Sequence, residues 1–593
     1  MIKLLKNLKP YWLSIIGIIF FVFLQAISEL YLPTMMSDIV DIGVVRGDIG
    51  YIVRTGGFMI IIALIAMAGS LIGSYLSSRV STAFARDLRS RVFTKVESFS
   101  LEEFNQTGTA SLIVRTTNDI TQIQRLAITM LRMFLRAPLL FIGGIIMAVS
   151  KNAELSLALI VILPVLTVII IIVAKKSTIL FKSMQIKIDK LNLVLREYLT
   201  GIRVIRAFNR EEYEKDRFHK SNYDLTETAK RVNILMSALM PLMTLILNLT
   251  IVAIIWLGSI KIDNRDMQVG DLMAFIQYAS QIMFSLIMVS MIFIMIPRAS
   301  VSASRINEVL DVEPKIKDPA IPVESESNIR KEHLKQEGTS KIKQEKRALL
   351  EFDNVCFCYT DAEEFAVHDI SFKAFSGEVT AIIGGTGSGK TTLINLIPRF
   401  YDAVRGQIMV NGINIREMPQ AKLRSMIGLV PQKAVLFTGT ISENISFGDN
   451  NISMDEIIRV AKIAQADEFI NNMTEGYNAI ISQGGTNLSG GQKQRLAIAR
   501  ALAKHPDIYI FDDSFSSLDF KTEAKLREEL INETKDKTVL IIAQRVTSVM
   551  NSDRIIVLDE GEIAGIGKHL DLIRSCEVYR EIVSSQLSEE ELR

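Results

Sequence analysis

Residues 379 to 392 carry the clearest chemistry in the chain. Val379-Thr-Ala-Ile-Ile383 is an apolar run of strand length, and Gly384, Gly385, Thr386, Gly387, Ser388, Gly389, Lys390, Thr391 and Thr392 follow it without a break. Glycines at these spacings let successive backbone N–H groups close around phosphate oxygens, and a helix starting at the lysine adds the positive end of its dipole. Lys390 there reaches the β- and γ-phosphates, while the Thr391 hydroxyl holds Mg2+. Tyr509-Ile-Phe-Asp512 is a second apolar strand, ending in an acid where the other magnesium contact is expected. Leu488, Ser489, Gly490, Gly491 and Gln492 put small residues at a helix start and form a second anion cradle. One nucleotide cannot use both cradles of one chain if they lie on opposite edges of the domain.

These residues need a soluble α/β frame, and the sequence supplies one from Leu349 onward. The preceding half is of another kind. The chain has 593 residues, 49% apolar and 22% charged, with the two classes segregated. Long, predominantly apolar runs occupy residues 11–32, 56–78, 130–150, 155–174, 234–260 and 270–296, each close to the roughly 20 apolar residues a helix needs to cross a bilayer. The first is too long for a signal peptide and lacks a small-residue cleavage site. Lys3, Lys6 and Lys9 precede it, seven basic residues fall in 79–125, and more lie between Lys175 and Arg231. The opposite loops are short and poorly basic, with Arg46 in one, Lys151 in the next, and Lys261 and Arg265 in the last. This asymmetry places both termini, both long connections and the α/β domain in the cytoplasm. Within the connections, Arg86–Val96 and Ile186–Val204 keep helical apolar spacing, so membrane helices are expected to continue outward and to turn at Thr107-Gly108 and Asn209-Arg210-Glu211.

The expected domains are a transmembrane domain at 1–311, a charged linker at 312–348 and a nucleotide-binding domain at 349–593. Pro314, Pro319 and Pro322 lead into the lysine- and glutamate-rich stretch 324–347, a composition that cannot bury enough surface to order itself. The net charge of +2 gives no sign of a nucleic-acid partner, and three cysteines without a framework fit a reducing compartment. Cys356 and Cys358 read as alternation along a strand rather than as a metal pair.

Leu488–Gln492 resembles the signature of ATP-binding cassette (ABC) proteins. The resemblance implies cassettes that dimerise head to tail, each ATP lying between one chain's phosphate loop and the other's signature. It further implies that Tyr359 stacks on adenine, that Gln432 belongs to the loop linking the site to the membrane domain and touches Mg2+, and that Ser516-Ser-Leu-Asp519 is the loop after the second acid motif. Gly201–Phe208 and Arg298–Leu310 resemble exporter sequence. The implied fold is multidomain: a six-helix α-helical transmembrane domain with long cytoplasmic helix extensions, fused to an α/β P-loop ATP-binding cassette domain. The implied activity is ATPase-coupled transport with ATP and Mg2+, in the cytoplasmic (inner) membrane.

Three positions depart from the family pattern. Asp513 stands where the family places the glutamate that polarises the attacking water, Gln544 where it places a histidine, and Gln483 where exporters carry a glutamate. An aspartate carboxylate falls more than ~1 Å short, and misplacement on that scale costs roughly a hundredfold in rate. Glutamine donates a hydrogen bond to phosphate but cannot become a cation. The chain is therefore expected to bind ATP well, hydrolyse it poorly, and lend its complete signature to a homologous, non-identical partner bearing the consensus glutamate and histidine. The alternatives are a slow homodimeric lipid or lipopeptide flippase and a non-transporting regulatory cassette protein.

The last two spans are methionine-rich, with Met236, Met240, Met243, Met273, Met283, Met288, Met291 and Met295. Flexible thioethers suit amphipathic or cationic drug-like substrates, and they equally serve packing and lipid contact. Gln277, Gln281 and Asn248 are either polar anchors or interhelical hydrogen-bonders. Glu29 is a functional candidate if it lies at depth and a solvated rim residue if it does not.

Overall fold

The computed structural model describes residues 1–319, 348–360, 362–449 and 451–586. Residues 320–347 of the linker expected at 312–348 lie outside the described residues. Two compact units result. One comprises Met1–Ser98 and Thr107–Val312, the other Phe99–Gln106 and Glu313–Arg593.

The first unit is helical, and six of its helices are long and apolar enough to cross a membrane. They are α1 (Trp12–Asp38), α2 (Ile49–Glu97), α3 (Thr109–Lys151, with two π-helical turns inside it), α4 (Leu157–Thr200), α5 (Glu211–Asp263) and α6 (Val269–Asp311). Each is longer than its apolar stretch, so charged turns continue the same helix beyond it. Outward-facing apolar side chains such as Phe58, Leu71, Val161 and Trp256 stay exposed along these stretches. In lipid such exposure is favourable, because every backbone group is already bonded within its helix. The helices turn at two left-handed residues, Gly108 (φ 76°) and Asn209 (φ 53°). Gly201 ends α4 and opens the short helix Ile202–Ala207.

Ala26, Leu30, Leu140, Ala148, Ile254, Phe275, Tyr278 and Ile282 form one buried cluster among α1, α3, α5 and α6. The buried Tyr278 hydroxyl lies 2.6 Å from Thr34 Oγ1 and donates to Leu30 O at 3.0 Å. Arg136 Nη2 donates to both carboxylate oxygens of Glu29, at 2.8 and 2.9 Å. Gln25 Nε2 donates to Glu29 Oε1 at 2.9 Å and Gln281 Nε2 to Glu29 O at 3.1 Å. Glu29 is thus half of a part-buried ion pair between α1 and α3.

The second unit is α/β. Its antiparallel sheet runs β2 (Val367–Phe375), β1 (Ala348–Phe357), β4 (Arg405–Val410), β5 (Ile413–Asn414). Its larger sheet runs β12 (Glu562–Gly567), β11 (Arg554–Asp559), β3 (Val379–Gly384), β10 (Thr538–Ile542), β9 (Ile508–Asp512), β6 (Ile427–Val430). A short ribbon pairs β7 (Gly439–Thr440) with β8 (Ile480–Ile481). Strands β11, β3, β10, β9 and β6 are parallel. Central parallel strands are covered on both faces, which is why β3 and β9 read as solid apolar runs. Alternate β9 residues serve two separate cores. Ile508 and Ile510 join the core under the antiparallel sheet, Tyr509 and Phe511 the core of the helical half.

The first residues of the expected linker are docked rather than free. Ile316 is buried, and Gln420 N donates to Asp318 Oδ1 at 2.9 Å. The segment Phe99–Gln106 packs in the same unit: Leu101 lies against the core, Lys315 N donates to the buried Glu103 at 3.1 Å, and Asn105 lies 3.4 Å from the Tyr401 hydroxyl.

Candidate functional site

Strands β3, β10 and β9 are adjacent and parallel, so the residues after their carboxyl ends gather at one edge of the sheet. Ile542 pairs with both Ile382 and Asp512. This brings the loop after β3, the Asp512-Asp513 pair after β9 and Gln544 after β10 side by side, the usual position for a ligand in an open α/β sheet.

The loop after β3 is shaped by its glycines. A Cβ on Gly384 would lie 2.2 Å from Leu558 O, and one on Gly389 (φ 92°) would lie 2.6 Å from Ala366 O. Helix α7 (Lys390–Leu396) opens immediately afterwards, with Thr391 exposed on its first turn. Lys390 is largely buried; its Nζ donates to Gly384 O (2.9 Å), Gly385 O (2.5 Å) and Ser388 Oγ (3.2 Å). Burial pushes the lysine pKa down, and the nearby Asp512 and Asp513 oppose that shift. Burial likewise raises the Asp512 carboxyl to about 6, reinforced by Asp513 and opposed by Lys390. A buried cation facing a buried, reluctant carboxylate, beside a backbone cradle that side chains would fill, suits a phosphate chain carrying a divalent ion.

Asp513 takes a left-handed backbone (φ 45°), with its N–H donating to Ile542 O at 2.8 Å. Gln432 Nε2 donates to Asp513 Oδ2 at 3.3 Å. Gln544 is exposed, and Gln586 of the last helix brackets it, donating to Gln544 O at 2.8 Å and accepting from Val546 N at 2.8 Å. Tyr359 is part-exposed, its hydroxyl 3.0 Å from Thr392 Oγ1 and its ring edge-on to Tyr401 at 5.6 Å.

Leu488–Gln492 lies elsewhere. Ser489 caps helix α8 (Gly490–Ala503) through a reciprocal box: Gln492 N donates to Ser489 Oγ at 3.3 Å, and Ser489 N to Gln492 Oε1 at 2.9 Å. Leu488 belongs to the core of the helical half, whereas the α7 residues Leu393 and Ile394 belong to the other core. Gly490 is exposed, and a Cβ on Gly491 would lie 3.0 Å from Ser517 O. Asp519 caps helix α9 (Phe520–Glu533) by accepting from Thr522 N at 3.0 Å, and the Thr522 side chain, with this backbone bond, lowers its carboxyl pKa. Gln483 is exposed on a short 3-10 turn before the signature.

Sequence reasoning missed a brace behind the site. Arg527 pairs with Glu523 at 2.8 Å, donates to Ser548 O at 2.7 Å and lies 5.0 Å over the Phe515 ring. It thereby ties the loop after Gln544 to the loop after Asp513. No motif marks it, because its partners come from segments that meet only in the fold. The Arg136–Glu29 pair was closer to legible, since two opposite charges within apolar spans are a signal in themselves.

A membrane helix bundle fused to such a cassette defines an ATP-driven transporter. The profile of the ABC transporter transmembrane region matches residues 15–286, and that of the ABC transporter ATP-binding domain matches residues 367–516. An uncharacterized ABC transporter ATP-binding protein of Mycobacterium tuberculosis, MT1311, is 38% identical over 98% of this chain and 97% of its own length. A second, YfiB of Bacillus subtilis, is also 38% identical, over 99% of each chain. The solved structure of a bacterial Atm1-family ABC exporter with ATP bound superposes with a TM-score of 0.79 at 26% identity, covering 97% of this chain and 98% of that one. The chain belongs to the ABC transporter family, as an exporter-type protein with transmembrane and ATP-binding domains fused in one polypeptide. It is a multi-pass membrane protein that couples ATP to transport, with Mg2+ as the family's general requirement.

Proposed function

We propose that this chain is one half of a heterodimeric ABC exporter in the cytoplasmic membrane, with both termini and the cassette cytoplasmic. Its own phosphate-side site is weakly hydrolytic, and its signature completes the partner's competent site. The observation carrying this reading is the pairing of Asp513 and Gln544 with an intact Leu488–Gln492.

Gly384 to Thr392 would cradle the phosphates, Lys390 would meet the β- and γ-phosphates, and Tyr359 would stack on adenine. Thr391, Asp512 and Gln432 would hold Mg2+, whose charge, when bound, offsets that of the phosphates. Asp513 is a poor base for two reasons. Its side chain is one methylene short, and the backbone that would have to advance it is fixed by the Ile542 bond and a left-handed φ. Gln544 can donate a hydrogen bond but cannot supply a cation.

Dimerisation is supported by exposed Leu199, Val204, Phe208, Tyr213 and Tyr223. They lie beyond the apolar stretches of α4 and α5, where a partner rather than lipid must cover them. Amphipathic drug-like compounds are the proposed cargo. Met240, Met243 and Met283 line a crevice of about 30 Å³ with Phe284 and Ile287, an adaptable apolar surface.

The test is Mg-ATP turnover in lipid by the chain alone and with a co-encoded homologue. Negligible turnover alone that rises with the partner, and is lost when the partner's glutamate becomes glutamine, supports the reading. Robust turnover alone that is lost on Asp513→Asn overturns it.

A further inference from the structure

One cluster of side chains lies outside the nucleotide site. Cys356 on β1, His368 and Asp369 on β2 and Glu562 at the start of β12 converge where the antiparallel sheet meets the β11–β12 hairpin. The ligand atoms of Cys356, His368 and Asp369 lie within 4.8 Å of one another. Cys356 Sγ is 3.3 Å from Asp369 Oδ1. His368 Nδ1 is 3.5 Å from Asp369 Oδ2 and 3.2 Å from Glu562 Oε1.

We propose that Cys356, His368, Asp369 and Glu562 form a divalent-metal site of the Zn2+ class. Bonds of 2.0–2.3 Å in a tetrahedron place neighbouring ligand atoms about 3.3–3.6 Å apart. The separations of 3.2, 3.3 and 3.5 Å match three of the six edges. The Cys356 and His368 contacts fall on different Asp369 oxygens, so that carboxylate must turn, and Glu562 must swing in from beside His368, for one ion to meet all four. One thiolate and one imidazole with two carboxylates select a borderline ion over Mg2+ or Ca2+, which prefer oxygen alone.

The frame around the cluster is fixed. His368 N donates to Gly561 O at 2.8 Å, which holds the β11–β12 turn against β2 and keeps Glu562 beside the imidazole. Cys356 is buried at the floor, whereas the Asp369 and Glu562 side chains are 64% and 67% exposed, so an ion has a path in over the carboxylates. Binding replaces the thiol proton, which leaves to solvent. The resulting thiolate, two carboxylates and dication sum to one negative charge, and Arg405, opposite Cys356 across β1 and β4, is placed to offset it. With four protein ligands the site would be closed and structural, riveting two sheets together three residues before Tyr359.

The experiment uses the full chain in lipid nanodiscs, stripped with chelator and titrated with ZnCl2 against a chromophoric competitor, then with CoCl2. The expected result is one zinc per chain and a cobalt–thiolate charge-transfer band. Cys356→Ser should abolish the band, His368→Asn and Glu562→Gln should each weaken zinc at least tenfold, and Cys358→Ser should change neither. Absence of stoichiometric zinc overturns the proposal, as does affinity unchanged in both Cys356→Ser and His368→Asn. Thermal unfolding checks that each variant folds. Should Cys356→Ser unfold, the exposed His368 and Glu562 variants alone decide.

Discussion

Gln432 donates its side-chain amide to Asp513 Oδ2 at 3.3 Å, although 81 residues separate the two. The acid standing where a general base would act is already held by the residue proposed to touch Mg2+. If Asp513 is the weak base proposed above, restoring the consensus residues is a direct test.

The double variant Asp513→Glu with Gln544→His should raise turnover by the chain alone at least tenfold. Recovered reach at a misplaced base is worth roughly a hundredfold at most. Asp513→Glu alone should give part of the gain. Phosphate release in proteoliposomes measures both, and no gain from the double variant would remove the degenerate-site reading.

The raised Asp512 carboxyl, at about 6, fixes the sign of a pH effect. Mg2+ requires the carboxylate, so Mg-nucleotide affinity should be flat above about pH 7 and fall as pH drops through 6, by about tenfold per unit. Stability runs the other way. The folded pKa lies above the unfolded one, so ionised Asp512 costs stability at neutral pH and protonation relieves the cost on acidification. Asp512→Asn should therefore raise cassette stability at pH 7 while abolishing Mg-dependent nucleotide tightening, as read by thermal melts with and without Mg-nucleotide.

Glu29 and Arg136 should behave as a unit. Either Glu29→Gln or Arg136→Gln leaves an uncompensated charge or an unsatisfied partner at membrane depth, whereas the double variant leaves neither. A double-mutant cycle of thermal stability in lipid should give a coupling of about 1–3 kcal/mol. Additive single effects would mean that the pair carries no mutual energy.

Arg527→Leu keeps the bulk but loses the donor to Ser548 O and the pair with Glu523. The expected cost is about 1–3 kcal/mol of cassette stability. Beyond that loss, the loops carrying Gln544 and Asp519 should exchange amide hydrogen faster, while α8 is unchanged. Equal acceleration throughout the cassette would reduce Arg527 to a stability residue.

The frame of the protein was legible because its two environments force distinct patterns. Strands buried on both faces must be apolar throughout, which exposed β3 and β9. Helices in lipid must be predominantly apolar for about 20 residues, which exposed the six spans. Side-chain partnerships were not legible. Nothing in sequence spacing tells which face of α1 carries Glu29, or that Gln586 would bracket Gln544 from 42 residues away. The first residues of the expected linker show the same limit. Proline and charge around 313–318 suggested a tether, yet Ile316 finds a buried site and Asp318 a backbone donor.

The segment Phe99–Gln106 is carried by the cassette unit, yet both of its ends continue directly into membrane helices. Through Asn105 it meets Tyr401, whose ring abuts Tyr359, which in turn touches Thr392 beside the phosphate loop. Thermodynamic reciprocity then constrains the machine as a pump with back-pressure. Any cargo whose binding changes nucleotide affinity must have its own affinity changed by nucleotide to the same extent. Loading of the transport path would therefore be measurable as a change in nucleotide affinity, without any transport having taken place.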